Sequence, residues 1–240
     1  MSFVCDYCKK TFSRETSIAV HMCEPKRRRL ARDEAGVRMG FQAYIKFYET
    51  MQGSAKNKTH DDFCESPYYR AFVKFGNYCV NTHVVAPARF MTWLLKAQKK
   101  IDNWCSDKVY TEYLIEYLRV EAVDDALARA IEHSIRWAEE TGNPAHDWMR
   151  YGNTNSLCYA VTAGRISPWV IYNSESGQKF LSELSTEQVA MVWPYIDSDA
   201  WQKKFVNYPA DQEYVKDILS KAGWYYDQKH KWRQWNNNQQ

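Results

Sequence analysis

Two cysteines near the start of the chain, Cys5 and Cys8, are separated by two residues. This spacing lets a tight turn direct both sulfurs at one metal ion. The segment around them is too short to fold on its apolar core alone, so a bound metal would have to supply part of its folding free energy. The side chains that it can bury are few: Phe3, Phe12 and Ile18. The sequence therefore predicts a small zinc-binding unit from Phe3 to Cys23.

The spacing of the residues that follow resembles the zinc-finger family whose ligands are two cysteines and two histidines. In that family the two cysteines lie on a hairpin, a Phe and an aliphatic residue form the core, and the first histidine lies on a helix. The positions that match are Phe3, Cys5, Cys8, Phe12, Ile18 and His21. The resemblance covers less than a tenth of the chain and implies a ββα zinc finger over residues 1–24.

The fourth ligand departs from the family pattern. The family places it three to five residues after the first histidine, where this sequence has Pro25 and Lys26 but no histidine or cysteine. We take Cys23 instead, which makes the site a variant with three cysteines and one histidine. Positions i and i+2 of a helix point about 200° apart, so the helix must loosen after His21. A water molecule or Glu24 remains an alternative fourth ligand.

Positive charge is concentrated around this unit. Residues 1–32 hold eight lysines and arginines against three acidic residues, whereas the rest of the chain has a small acidic excess. Such a distribution favours a nucleic-acid partner, and we expect DNA. We expect the contacts to come from the finger and from a basic linker, residues 25–32: Lys9, Lys10, Arg14, Ser17, Lys26, Arg27, Arg28 and Arg29.

The family resemblance also implies which residues of the finger helix would face bases. Those positions carry Arg14, Ser17 and Val20. Arginine can make a bidentate contact with guanine, and valine offers only an apolar contact. One finger covers about 3 bp, which is too little for useful specificity. We therefore expect low sequence specificity.

Residues 33–223 are predicted to form an all-α domain. Apolar residues recur at helical spacing in Val37, Phe41 and Ile45, a segment that should end at Gly53-Ser54, and alternating strand patterns are nearly absent. The same spacing predicts a helix through Phe72 and Phe75, one through Phe90 after Pro87, and one from Pro209 through Ile218. Ser185 and Gln188 form a capping-box pattern, while prolines and glycines mark other helix ends. Residues 224–240 alternate aromatic and basic side chains and are expected to be a flexible tail. The fold class is mainly α, with a small finger followed by helices.

Two weaker signals lie in the helical segment. Ala160, Gly164 and Val170 have the spacing of a helix-turn-helix, although a buried helical hairpin fits the apolar residues around Trp169 better. The pairs Glu132-His133 and His146-Asp147 have no supporting catalytic motif. A second metal site at His60-Asp61-Asp62 and Cys64 would need further partners. Catalytic residues are therefore unknown.

Composition limits the remaining classes. The sequence has no apolar run of about 18 residues and no signal peptide at its start, so we expect no membrane partner and a cytoplasmic setting. Seven cysteines in such a chain indicate metal ligands and reduced core thiols. In style the chain looks like small uncharacterised proteins of tailed bacteriophages, a resemblance that implies the host cytoplasm.

The favoured function is a zinc-finger accessory protein that binds nucleic acid in replication or transcription. In this interpretation the helical domain binds a protein partner. One alternative is an enzyme that modifies nucleic acid or nucleotides, but a phosphate-binding glycine loop and a nucleophile elbow are both missing. Another alternative is an adaptor that contacts only proteins.

Overall fold

Helices provide nearly all of the regular structure. A computed structural model describes residues 2–52 and 58–224, and within these ranges the single sheet has two strands. The mainly α prediction is confirmed. Contacts divide the chain into two units, Met1–Tyr110 and Thr111–Gln240. No helix in the described ranges is long and apolar enough to cross a membrane.

The first unit begins with a hairpin and continues with helices. Strands β1 (Phe3–Val4) and β2 (Thr11–Phe12) are antiparallel, with Phe3 opposite Phe12. Short 3-10 turns occupy Ala31–Asp33 and Ile101–Asn103. The helices are α1 (Glu15–Ala19), α2 (Glu24–Leu30), α3 (Ala35–Gln52), α4 (His60–Glu65), α5 (Tyr69–Asn81) and α6 (Pro87–Lys96), and α7 (Asp107–Val120) begins here and ends in the second unit.

Segment 25–32, expected to be a linker, is therefore mostly helical. Pro25 lies in the first turn of α2, where a proline costs no helical hydrogen bond. The domain boundaries at residues 24, 32 and 223 stay predictions. The predicted end of α3 at Gly53-Ser54 lies outside the described residues.

Helices α3 and α5 approach each other more closely than side chains would allow. A Cβ atom on Gly76 would lie 1.9 Å from the carbonyl oxygen of Gly36, and one on Gly40 would lie 2.7 Å from that of Phe72. Both distances are shorter than any real Cβ contact. The spacing of Gly36 and Gly40 on α3 thus creates a surface onto which the backbone of α5 fits.

Aromatic side chains fill the core beside this contact. Phe72 and Phe75 on α5 are fully buried, as is Phe90 on α6. Trp104 contacts both phenylalanines of α5 edge-on, with ring centroids 6.1 and 5.2 Å away. The predicted helices through these residues are confirmed, and α6 begins at Pro87 as expected.

The second unit is entirely helical in its described part. A 3-10 turn occupies Ala145–Asp147. The α-helices after α7 are α8 (Val123–Thr141), α9 (Trp148–Tyr151), α10 (Thr154–Thr162), α11 (Pro168–Asn173), α12 (Glu175–Ser182), α13 (Thr186–Ile196), α14 (Ser198–Asn207) and α15 (Pro209–Lys221). The predicted capping box of Ser185 and Gln188 is present, and α13 continues past Pro194.

The helix-turn-helix pattern corresponds to a buried hairpin. Gly164 takes a left-handed conformation (φ 69°) between α10 and α11, as a tight turn requires. Every residue of α11 is buried, and Trp169, Val170 and Ile171 are fully inaccessible. A helix at the centre of the core cannot enter a DNA groove, so the buried-hairpin interpretation is confirmed.

Trp224 is buried although we expect a flexible tail from this residue onward. Its side chain is 3% exposed, and its N–H donates to the Leu219 carbonyl after the left-handed Gly223 (φ 83°). This is the glycine C-cap that ends α15. The rest of the predicted tail, residues 225–240, lies outside the described residues.

The α3–α5 contact generates a prediction of stability. Replacing Gly76 by Ala should lower the free energy of unfolding by about 3 kcal/mol, because the two helices must separate to admit the methyl group. Gly142→Ala is the control: nothing lies within 4 Å of its Cβ position, so only its left-handed backbone is strained, at about 1 kcal/mol. Urea denaturation measures both. Equal losses would contradict the close helix contact.

Candidate metal centre

The first two candidate ligands lie on the turn of the β1–β2 hairpin. Cys5 is 4% exposed and Cys8 is half-buried. The Cys5 N–H donates to the Lys10 carbonyl (2.9 Å), and the Lys9 N–H donates to the Cys5 carbonyl (2.8 Å). Lys9 has a left-handed backbone (φ 59°) that closes the turn. The local backbone therefore fixes both cysteines before any side-chain contact is considered.

His21 lies beyond the end of the finger helix. Helix α1 ends at Ala19, and the His21 N–H donates to the Ile18 carbonyl at 3.1 Å. The family resemblance places this histidine on the helix, so the structure differs from it here. Because α1 ends before His21, His21 and Cys23 are not positions i and i+2 of one helix, and both side chains can face the same metal ion. Phe12 packs against the His21 ring, with centroids 4.7 Å apart.

Cys23 stands at the start of the next helix. Its backbone is extended (φ −81°, ψ 162°), and its carbonyl accepts the Arg27 N–H at 3.0 Å. It is therefore the N-cap residue of α2, although its side chain does not cap the helix. The extended backbone between α1 and α2 lets its sulfur turn back toward the hairpin.

The four predicted ligands converge. The ligand atoms of Cys5, Cys8, His21 and Cys23 all lie within 4.8 Å of one another. The Cys5 and Cys23 sulfurs are 3.9 Å apart, and the Cys8 sulfur is 3.2 Å from His21 Nε2. A tetrahedral zinc site places two sulfurs about 3.8 Å apart and a sulfur and nitrogen about 3.5 Å apart. The cluster fits a metal ion of this size and is consistent with zinc.

The electrostatics of the thiols also favour a cation. A hydrogen bond from the Cys8 backbone lowers the pKa of Cys5, which stabilises its thiolate. For Cys8 the Lys10 backbone acts in the same direction, but burial and the sulfurs of Cys5 and Cys23 raise its pKa overall. Several thiolates so close together repel one another, and a divalent ion at their centre removes that repulsion.

Glu24, the alternative fourth ligand, is engaged elsewhere. Its carboxylate accepts hydrogen bonds from Arg28 (2.7 Å) and Arg70 (2.9 Å), and these bonds lower the pKa of Glu24. A carboxylate held by two guanidinium groups is a poor candidate for the cluster. Cys23 is the better fourth ligand.

The residues predicted to contact nucleic acid fall into two groups. Lys9, Lys10, Arg14 and Ser17 are exposed on the finger. The side chains of Lys26 and Arg27, at the start of α2, donate to the carbonyls of His21 and Met22 at 3.3 and 3.4 Å. Arg28 and Arg29 are instead bound to the body of the first unit, and the sequence gives no sign of this difference.

Arg29 on α2 contacts two carboxylates of α4 and one aromatic ring of the finger. Its guanidinium pairs with Asp61 (2.8 Å) and Glu65 (2.9 Å) on α4 and lies 5.6 Å from the centre of the Tyr7 ring. Arg28 donates to the Cys64 carbonyl at 2.8 Å and lies 4.7 Å from the centre of the Tyr69 ring. These contacts hold α2 against α4 and α5.

The other candidate polar groups do not form a second cluster in the described ranges. The sulfur of Cys64 is 3.5 Å from His60 Nδ1. The two neighbouring carboxylates are engaged elsewhere: Asp61 pairs with Arg29, and Asp62 forms the capping box of α4 with Thr59. Burial raises the pKa of Cys64, which disfavours a reactive thiolate. The second metal site considered from the sequence is not assembled.

A cleft of about 460 Å³ opens in the second unit between the end of α7, the start of α8 and α15. Several of its polar groups have partners within the same unit. Buried Glu121 pairs with Arg129 (2.6 Å) and accepts from Ser167 (2.9 Å), and Lys204 donates to the Arg119 carbonyl. Burial raises the pKa of Glu121 and lowers that of Lys204. The Tyr214 hydroxyl donates to Asp124 at 2.8 Å, and these contacts tie the helices around the cleft together.

Comparisons with known proteins add no relative. Neither the family models, nor the curated proteins, nor the solved structures give a match. The zinc-finger resemblance therefore rests on the sequence spacing and the converged ligands, and the bacteriophage resemblance rests on sequence style alone.

The cluster predicts one equivalent of zinc per chain. Cys5→Ser should lower the zinc affinity by at least about 100-fold, because it removes a buried thiolate ligand. Cys23→Ser should cost less, since a water molecule can take the fourth position. Cys105→Ser, which changes a half-buried cysteine outside the cluster, is the control and should bind normally. Competition with a coloured chelator measures all three affinities. Less than half an equivalent in the reduced wild-type protein would disprove the site.

Proposed function

We propose that this protein is a zinc-finger accessory protein that binds nucleic acid, preferably duplex DNA, with little sequence specificity. The observation that supports the proposal most directly is the convergence of Cys5, Cys8, His21 and Cys23 on one point, which gives a metal ion its ligands. A finger held in this way presents basic side chains on a rigid frame. Zinc has a structural role here and takes part in no reaction.

Four exposed cations and the half-buried Lys26, on the finger and the start of α2, are suited to phosphate contacts. Lys9 and Lys10 lie on the hairpin turn, Arg14 precedes α1, and Lys26 and Arg27 begin α2. None of these five has a carboxylate partner among the described residues. Arg28 and Arg29, by contrast, are neutralised by Glu24, Asp61 and Glu65. The phosphate-binding surface is therefore smaller than the sequence suggests.

The outer face of α1 is open for groove contacts. Arg14 and Ser17 are exposed, and Val20 is 81% exposed. Helix α1 has only five residues, so few side chains reach a base edge. We therefore expect low sequence specificity, with Arg14 as the side chain that contacts a base.

The helical body is assigned a supporting role, the binding of a protein partner in replication or transcription. The enzyme alternative gains no specific support from the cleft, since its buried carboxylate, Glu121, is paired with Arg129 and its Lys204 donates to a main-chain carbonyl. The adaptor alternative differs from our proposal in its salt dependence. An apolar protein contact weakens little with salt, whereas phosphate binding weakens steeply.

Salt dependence tests the proposal. With about five phosphate contacts, the logarithm of the affinity for duplex DNA should fall with the logarithm of salt concentration at a slope of about −4.5. Changing Lys9, Lys10 and Arg14 together to Gln should flatten the slope by about 2.7. Fluorescence anisotropy with a labelled duplex of arbitrary sequence measures both slopes.

A matched triple variant on the body serves as the control. Lys96, Lys100 and Lys203 are exposed, and their change to Gln removes the same charge without touching the finger. The slope should then stay near that of the wild type. Equal effects of the two triple variants would show that binding is not centred on the finger, and no salt-dependent binding at all would favour the adaptor.

A further inference from the structure

Helix α2 lacks the means to be stable alone. It has seven residues, Glu24–Leu30, and its N-cap residue Cys23 gives it no side-chain cap. Isolated helices of this length are unstable in water. Its order must therefore come from the groups that hold it: the cysteine cluster before Glu24, Arg70 on α5, which pairs with Glu24, and α4, which pairs with Arg29.

The cluster fixes the start of α2 through a residue that serves two purposes. Cys23 places its sulfur 3.9 Å from that of Cys5 while its carbonyl accepts the first helical hydrogen bond from Arg27. A metal bound to the sulfur would thus restrain the backbone at the point where α2 begins. Apart from the contacts within the cluster, no hydrogen bond among the described residues joins Cys23 to the hairpin.

The far end of α2 is fixed by Arg29, and this contact also includes the finger. Arg29 pairs with Asp61 and Glu65, and Tyr7 lies against the same guanidinium. Tyr7 stands between Cys5 and Cys8, so its position depends on the turn that carries both sulfurs. The finger therefore reaches α4 by two routes, along the chain through Cys23 and across space through Tyr7.

We propose that metal binding orders α2 and docks the finger onto α4, so that the finger and the body of the first unit become one rigid piece only when the metal is bound. This inference rests on the metal site of the proposed function but not on nucleic-acid binding. It means that the basic face of the finger has a fixed direction in the loaded protein. Loss of the metal would free α2 and leave the finger on a loose tether.

Trypsin provides a direct probe, because α2 contains four consecutive cleavage sites, Lys26 to Arg29. A protease needs an unfolded segment, so cleavage there reports the opening of α2. The intact chain is digested with and without a zinc chelator, and mass spectrometry follows the cleaved bonds. Cleavage after Lys221, at the end of α15, is the internal reference. We expect cleavage in α2 to become at least about tenfold faster without zinc.

Two variants separate the two ends of α2. Cys23→Ser removes the ligand but supplies a good N-cap, so lost protection would come from the metal and not from the cap. Asp61→Asn with Glu65→Gln removes the α4 partners of Arg29 and leaves every ligand in place. The double variant should keep its zinc and still be cleaved at least about threefold faster in α2.

Glu132→Gln is the matched control, because it removes an exposed carboxylate from an ion pair on α8 and should change nothing. Chelated and loaded protein cleaved in α2 at rates within about twofold of each other would overturn the proposal. Full protection of the double variant would overturn α4 as the docking surface. Nucleic acid is absent from the assay, so a protein that fails to bind DNA can still give the expected result.

Discussion

The convergence of three sulfurs and one imidazole nitrogen is the constraint on which the N-terminal region depends. The finger buries little apolar surface, since Phe3, Phe12 and Ile18 are only half-buried, and its helix has five residues. Neither this small apolar core nor a five-residue helix could hold the hairpin and α1 together in water. The proposed metal at the cluster would supply the missing free energy and set where α2 begins, and through α2 its influence would extend to α4.

The helical units are stabilised in a different way. In the first unit, glycines let α3 and α5 meet backbone to backbone, and aromatic rings fill the space beside them. In the second unit, α11 is enclosed on every side and carries Trp169 at its centre. The chain thus combines two helical cores of apolar and aromatic side chains with a small unit that buries little apolar surface and carries a candidate metal site.

The sequence alone predicted the features that depend on residues close together in the chain. Cysteine spacing together with the zinc-finger resemblance identified the four members of the cluster, and helical periodicity with prolines and capping residues located α5, α6, α13 and α15. It was insufficient where the outcome depends on residues far apart in the chain. The charge run at 26–29 looks uniform, but Arg29 pairs with the distant Asp61 and Glu65, and Arg28 donates to the Cys64 carbonyl as well as to Glu24. Helix α4 was missed because its capping box, Thr59 with Asp62, precedes a helix of only six residues.

We propose that Cys5, Cys8, His21 and Cys23 together bind one zinc ion. X-ray absorption at the zinc edge can test this binding, because the method counts the ligand atoms around the metal in solution. Three sulfurs at about 2.3 Å and one nitrogen at about 2.0 Å are expected. In Cys23→Ser the count should fall to two sulfurs, with an oxygen or nitrogen in the vacated position. A wild-type shell with two sulfurs or fewer, or with mainly oxygen ligands, would contradict it.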